Sequence, residues 1–307
     1  MGKSARYWLH LALYLVLVVG FTGAICPLLF WSFESFGWEV EFESVVLRVL
    51  KFTALGMLFW LLWALRIPSA AAWGFVGPAP QFFRRVCFGF ALGVAMLALL
   101  VIVVLALGVR IPKVTLPSAS EFALWLLVIT LLAFVTSVVE ESLFRGGLYS
   151  SLARRMSARV VIPLTACIFA AVHFLEPSAK LSSHAVDWGS GFEVLADMVM
   201  SDQGEPWLDS FMALFAAGVL LGVCRRAGAD IAVAIGMHAG WVVVIRATRR
   251  LSDVDRDAPY ANVVGHYDGV IGYASTLLFG VLLLIYVVMQ LRHRNALGAK
   301  EAHSNGE

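Results

Sequence analysis

The chain has 307 residues, of which 60% are hydrophobic and only 14% charged, with a mean hydropathy of +0.84. Soluble proteins carry about 25% charged residues, so the composition excludes a soluble enzyme, a disordered protein and a nucleic-acid binder. The net charge of +2 says little about partners, but long uncharged runs, such as Val86 to Gly108, are each long enough to cross a hydrocarbon core as a helix of about 20 residues.

In chain order the apolar runs predict an all-α, polytopic transmembrane helical bundle of about eight spans, in one integral membrane domain over 1–307. They are Trp8–Phe30, Leu47–Leu65, Val86–Gly108, Phe122–Glu140 with an extension, Val160–Leu175, Phe211–Cys224, Ile231–Ile245 and Val270–Leu291. The first follows Lys3 and Arg6 and resembles a signal peptide, but it is too long for a typical signal core and is read as a retained helix. The fifth, sixth and seventh are short for spanning helices. Cys26, Cys87, Cys167 and Cys224 lie far apart in or beside apolar runs and read as buried free thiols.

Most of the 23 Lys and Arg residues fall in one set of alternate loops, which places both termini in the cytoplasm, in the inner (plasma) membrane if the source is bacterial. On the other side, the loop Glu176 to Asp209 is acidic. It contains a short amphipathic piece, Phe192 to Met200, expected to lie along the membrane interface. Arg246, Arg249 and Arg250 follow the seventh span. Both features read as solvated loop and headgroup contact, or as a rim that docks substrate.

An ionisable residue within a membrane span costs roughly 2.5–3.5 kcal/mol by insertion scales, so it is a functional candidate by default. Glu140, Glu141 and Arg145 extend the fourth span. Glu141 and Arg145 are spaced i, i+4 on one helix face, with Glu on the N-terminal side, the favourable order for an ion pair. Glu140 is rotated about 100° away and has no partner on its own helix, an environment suited to a general base. Phe169 and His173 are also spaced i, i+4, near the end of the fifth span. His238 lies in the seventh, flanked by Gly236, Ala239 and Gly240, which permit close helix contact. Counted from the cytoplasmic turn after Arg154, Glu140 and His173 reach similar depths of roughly 20 Å, and His238 enters from the same side. The motif-bearing core is 121–245.

Glu140-Glu141-x-x-x-Arg145, Phe169-x-x-x-His173 and His238, in that order, resemble the three-motif signature of the CPBP family. These are the CAAX-processing and bacteriocin-processing intramembrane proteases, also called Abi or Rce1-like. The resemblance implies peptide-bond hydrolysis near the terminus of a membrane-anchored or lipidated protein, within membrane lipids. It implies that Glu140 and His173 activate the attacking water, that His238 stabilises the oxyanion, and that Glu141, Arg145 and Phe169 order the site. One departure is Val242, four residues after His238, where the family usually has Asn. Loss of one oxyanion donor costs about 10²–10³ in rate.

No cofactor is the preferred expectation. The alternative is zinc, with Glu140, His173 and His238 as its three protein ligands. Against it, a liganding Glu140 could not also act as the base. A non-catalytic membrane immunity or scaffold protein of the same fold is the other alternative.

Overall fold

The structure, a computed structural model, describes residues 3–64, 69–175, 185–200 and 207–304. Parts of the acidic loop, including Lys180 and His184, lie outside the described residues.

The apolar runs fold into helices at the expected places. They are α1 (Lys3–Ser35), α2 (Phe42–Ala64), α3 (Ala79–Ala106), α4 (Ala119–Glu141), α5 (Tyr149–Ala153), α6 (Ala158–Val172), α7 (Ser190–Met200), α8 (Leu208–Gly228), α9 (Ala232–Leu251) and α10 (Tyr273–Ser304). The chain is a polytopic helical bundle. Among the described residues, six helical stretches are long and apolar enough to cross a membrane: Leu9–Ser35, Phe42–Leu61, Ala79–Ala106, Ala119–Ala153, Leu208–Gly228 and Tyr273–Arg292. The sixth expected span is thus a full 21-residue helix rather than a short one. The fifth, α6, has 15 residues and is a shorter apolar helix. The seventh, α9, continues past Ile245 to Leu251, so Arg246, Arg249 and Arg250 are helical residues rather than loop residues.

Local signals set the helix starts. Ser118 caps α4 through a reciprocal box: its hydroxyl accepts from the Glu121 N–H, and the Glu121 carboxylate accepts from the Ser118 N–H. Asp230 accepts from the Ala232 N–H at the start of α9 and is held by Arg85 at 2.8 Å.

The closest helix pairing is α3 against α9. A Cβ on Gly93 would fall 2.3 Å from the Met237 carbonyl oxygen, and one on Gly236 would fall 2.0 Å from that of Val86. The small residues around His238 therefore do let backbones approach, and they fix the helix that carries it. Ala239, fully buried, packs the other side of α9 against Ala133 of α4.

The amphipathic piece forms α7. Val194, Leu195 and Met198 join a buried cluster with Cys26 and Phe30 of α1 and Phe42, Val45 and Val46 of α2. The Phe192 ring and Gly191 both fit against Gly23 of α1, while Phe192, Val199 and Met200 remain exposed. Cys26 is buried as expected, but Cys87 and Cys167 are exposed and Cys224 is half-buried; all four are free thiols.

Two short strands, β1 (Arg110–Pro112) and β2 (Ser252–Val254), pair antiparallel beside the ends of α3 and α9. The segment after β2 runs to α10 and is bound back to them. The Arg110 side chain is buried and donates to the Ser252 hydroxyl at 2.9 Å and to the carbonyls of Ser252 and Gly269. Burial lowers the affinity of this guanidinium for its proton, with Asp268 and Asp253 opposing the shift. Asp268 accepts from the Val270 and Ile271 N–H groups, at 2.8 and 2.9 Å.

Candidate active site

The helix bearing the paired glutamates does not stay α-helical. It widens into a π-helical segment, Ser142–Leu148, directly after Glu141, and then resumes as α5. Single π turns inside α-helices are frequent at functional sites. Gly146 in this segment sits against the Trp73 carbonyl oxygen, where a Cβ would approach to 2.7 Å.

The i, i+4 pair forms as the spacing predicts. An Arg145 Nη1–H donates to Glu141 Oε1 at 3.1 Å, with both side chains almost fully buried. Arg145 also donates through Nη2 to the Gly218 carbonyl of α8 at 3.1 Å, and its guanidinium lies 4.4 Å from the centre of the Phe169 ring. A buried charge needs such multiple partners to offset its lost hydration.

Glu141 has a second partner that helical spacing does not reveal. Nδ1 of His238 lies 2.9 Å from the same Oε1. An ionised carboxylate only accepts, so Nδ1 carries a hydrogen, and Nε2 points away from Glu141. His173 is oriented by the same logic: its Nδ1–H donates to the Phe169 carbonyl at 2.7 Å. The two free Nε2 atoms both face Glu140, each 3.9 Å from its Oε2. Glu140 Oε2 is buried and has no hydrogen-bond partner among the described residues.

Phe169 stands between these groups. Its ring centre is 4.6 Å from that of His173 and 5.9 Å from that of His238. All six residues singled out by spacing are therefore brought together, from α4, the π segment, α6 and α9. Val242 packs among Ala133, Ala239 and Val243, and Trp241 packs on Phe279 at 4.9 Å, in the core. Neither contributes a donor beside Glu140.

The three side chains named as alternative zinc ligands converge, with both imidazole Nε2 atoms 3.9 Å from Glu140 Oε2, and among the described residues no group of three His, Cys, Asp or Glu is drawn together as tightly as a formed metal site. Two open clefts, lined by Leu17, Phe21, Trp60 and neighbours of α1 and α2, include none of the site residues.

Two polar groups near the site escaped the motif reading. The His266 ring donates from Nδ1 to Asp209 Oδ2 at 3.0 Å, and Asp209 is itself buried and bonded to Ser210. The available signal was Asp209 at the head of an apolar span, where a carboxylate needs a partner.

Residues 122–244 match the family described as Type II CAAX prenyl endopeptidase Rce1-like. This stretch begins in α4, ends in α9 and contains all six clustered residues. No curated protein and no solved structure matches the chain.

Proposed function

We propose that this chain, Rce1-like over 122–244, is an intramembrane endopeptidase in which Glu140 and His173 activate water directly. It cuts a membrane-anchored or lipidated protein near its terminus. The observation that carries the reading is the meeting of two imidazole Nε2 atoms on one unpartnered carboxylate oxygen. The 3.9 Å gap is too long for a direct hydrogen bond. It is the right size for one water oxygen to contact Glu140 and His173 at about 2.8 Å each. With the His173 Nδ1–H donated to Phe169, its Nε2 lone pair and the Glu140 carboxylate each accept one water hydrogen. The water lone pair is then directed at the scissile carbonyl, and Glu140 takes the proton as the bond forms.

His238 serves the developing oxyanion from Nε2. That role requires both ring nitrogens to carry hydrogen, and Glu141 at Nδ1 supplies the counter-charge. Arg145 in turn holds Glu141, and Phe169 keeps both imidazoles in register. With Val242 in place of a polar residue, His238 is the single side-chain donor in this account, which sets a rate about 10²–10³ below that of a two-donor site.

The test is a comparison of protein termini in membranes from cells with and without this gene. The proposal expects new termini in membrane-anchored proteins when the gene is present; identical terminal profiles would remove it. The orientation is tested separately. Reporters placed at Ser157, between α5 and α6, and at Tyr260, after β2, are expected to report opposite sides, with Ser157 cytoplasmic. Equal signals would overturn the charge-based topology and leave the site geometry untouched.

A further inference from the structure

The segment between β2 and α10 passes beside the site, and it is tied down on both sides of Tyr267. Ahead of it, His266 is bonded to Asp209 at the start of α8. At the residue itself, the Tyr267 N–H donates to the Ser210 hydroxyl at 3.4 Å. Beyond it, Asp268 gathers two backbone N–H groups, and Arg110 holds the Gly269 carbonyl. Gly265 donates its N–H to the Ile271 carbonyl at 2.7 Å, closing the segment on itself.

This anchoring presents a 40% exposed tyrosine next to the attacking pair. The Tyr267 ring stands nearly perpendicular to His173, with centres 6.4 Å apart, and lies 5.5 Å from Phe174. Phe174 continues the apolar surface to Trp207 and Phe211, at 6.4 and 6.2 Å. A wall of rings thus begins at the imidazole whose other side faces Glu140. None of these rings is needed to hold the Glu140–His173–His238 geometry, which Phe169, Glu141 and Arg145 already account for. Aromatic faces edge-packed in this way offer a rigid apolar surface at little cost in side-chain entropy.

We propose that Tyr267, backed by Phe174 and Trp207, is a specificity-determining subsite that takes a large apolar side chain of the substrate next to the scissile bond. This rests on the endopeptidase reading above. The occupant is a substrate side chain because the wall is continuous with the attacking histidine, so a chain positioned for attack lays a flanking residue against it. A ring removed from this wall lowers discrimination between large and small side chains. In a hydrophobic pocket, that discrimination is about 10–200-fold per methylene-scale difference.

The experiment uses the full-length protein in lipid vesicles with two membrane-anchored peptides. They differ only in having Leu or Ala at the residues flanking the cleaved bond. Both are presented to one enzyme preparation, so the folded fraction cancels from the ratio of their kcat/KM values. Wild type is expected to favour Leu by at least about tenfold, and Tyr267→Ala to bring the ratio close to one. Tyr267→Phe, which keeps the ring and drops the hydroxyl, is expected to preserve the wild-type ratio. An unchanged ratio in Tyr267→Ala, with cleavage still abolished by Glu140→Gln, overturns the subsite and leaves the protease reading standing. Cleavage that persists in Glu140→Gln, or none by wild type, overturns both.

Discussion

Glu140→Gln is expected to reduce cleavage by about 10²–10⁴ while leaving the melting temperature unchanged. The two halves of this result have separate causes. Activity falls because an amide cannot accept the water proton, which is the whole contribution of a general base. Stability holds because Glu140 Oε2 makes no hydrogen bond among the described residues, so the isosteric amide breaks none. The side chain is also 26% exposed, so it is not locked in the core. Purified wild type and variant compared by peptide cleavage and thermal unfolding give both readouts; retained activity removes Glu140 from the mechanism.

Glu141→Gln should behave in the opposite way, with stability lost along with activity. Its carboxylate is 0% exposed and serves two partners, Arg145 and His238. The amide leaves the Arg145 guanidinium, 1% exposed, without a counter-charge. Breaking such a buried pair costs about 3–5 kcal/mol, a large part of the roughly 5–15 kcal/mol that holds a typical domain folded. His238 also loses the carboxylate that fixes its ring. Glu141→Asp, which keeps the charge but shortens the arm, should recover part of the stability and little of the activity. A Glu141→Gln protein as stable as wild type would show that the pair is not a structural anchor.

The contrast between these two neighbours was legible in the sequence because it depends only on helical rotation. Glu141 shares a face with Arg145; Glu140 does not. The bundle was legible for a similar reason: membrane spans declare themselves through length and apolarity, and six helical stretches are long and apolar enough to cross a membrane, one of them over the sixth span that the sequence drew too short. Contacts made at long range were harder to read. Nothing in local spacing links Glu141 to His238, 97 residues away. Their meeting depends on how closely α9 packs against α3 and α4, and the glycines around His238 hinted only that some close approach occurs. The π segment was invisible because its residues, Ser142–Leu148, have no distinctive pattern beyond the adjacent glycines. The packing of α7 on α1 and α2 was not legible, because an amphipathic helix has the same signature whether its apolar face meets lipid or protein. The placement of the segment around His266 and Tyr267 was not legible because it is short, polar and non-helical, and its position beside His173 rests on its anchoring to Asp209, Ser210 and Arg110.

The central claim, that Glu140 and His173 activate water themselves, is tested most directly by measuring metal content and cleavage on the same sample. Protein stripped with chelator and reconstituted in lipid is assayed for peptide cleavage and for bound metal by elemental analysis. The account predicts cleavage undiminished by chelation, no stoichiometric metal, and loss of turnover in His173→Ala with no ion released. A zinc site requires deprotonated ligands, so its occupancy would fall as the pH drops. Cleavage that appears only with about one zinc per chain, both lost in His173→Ala or His238→Ala, would contradict the account and make these residues ligands.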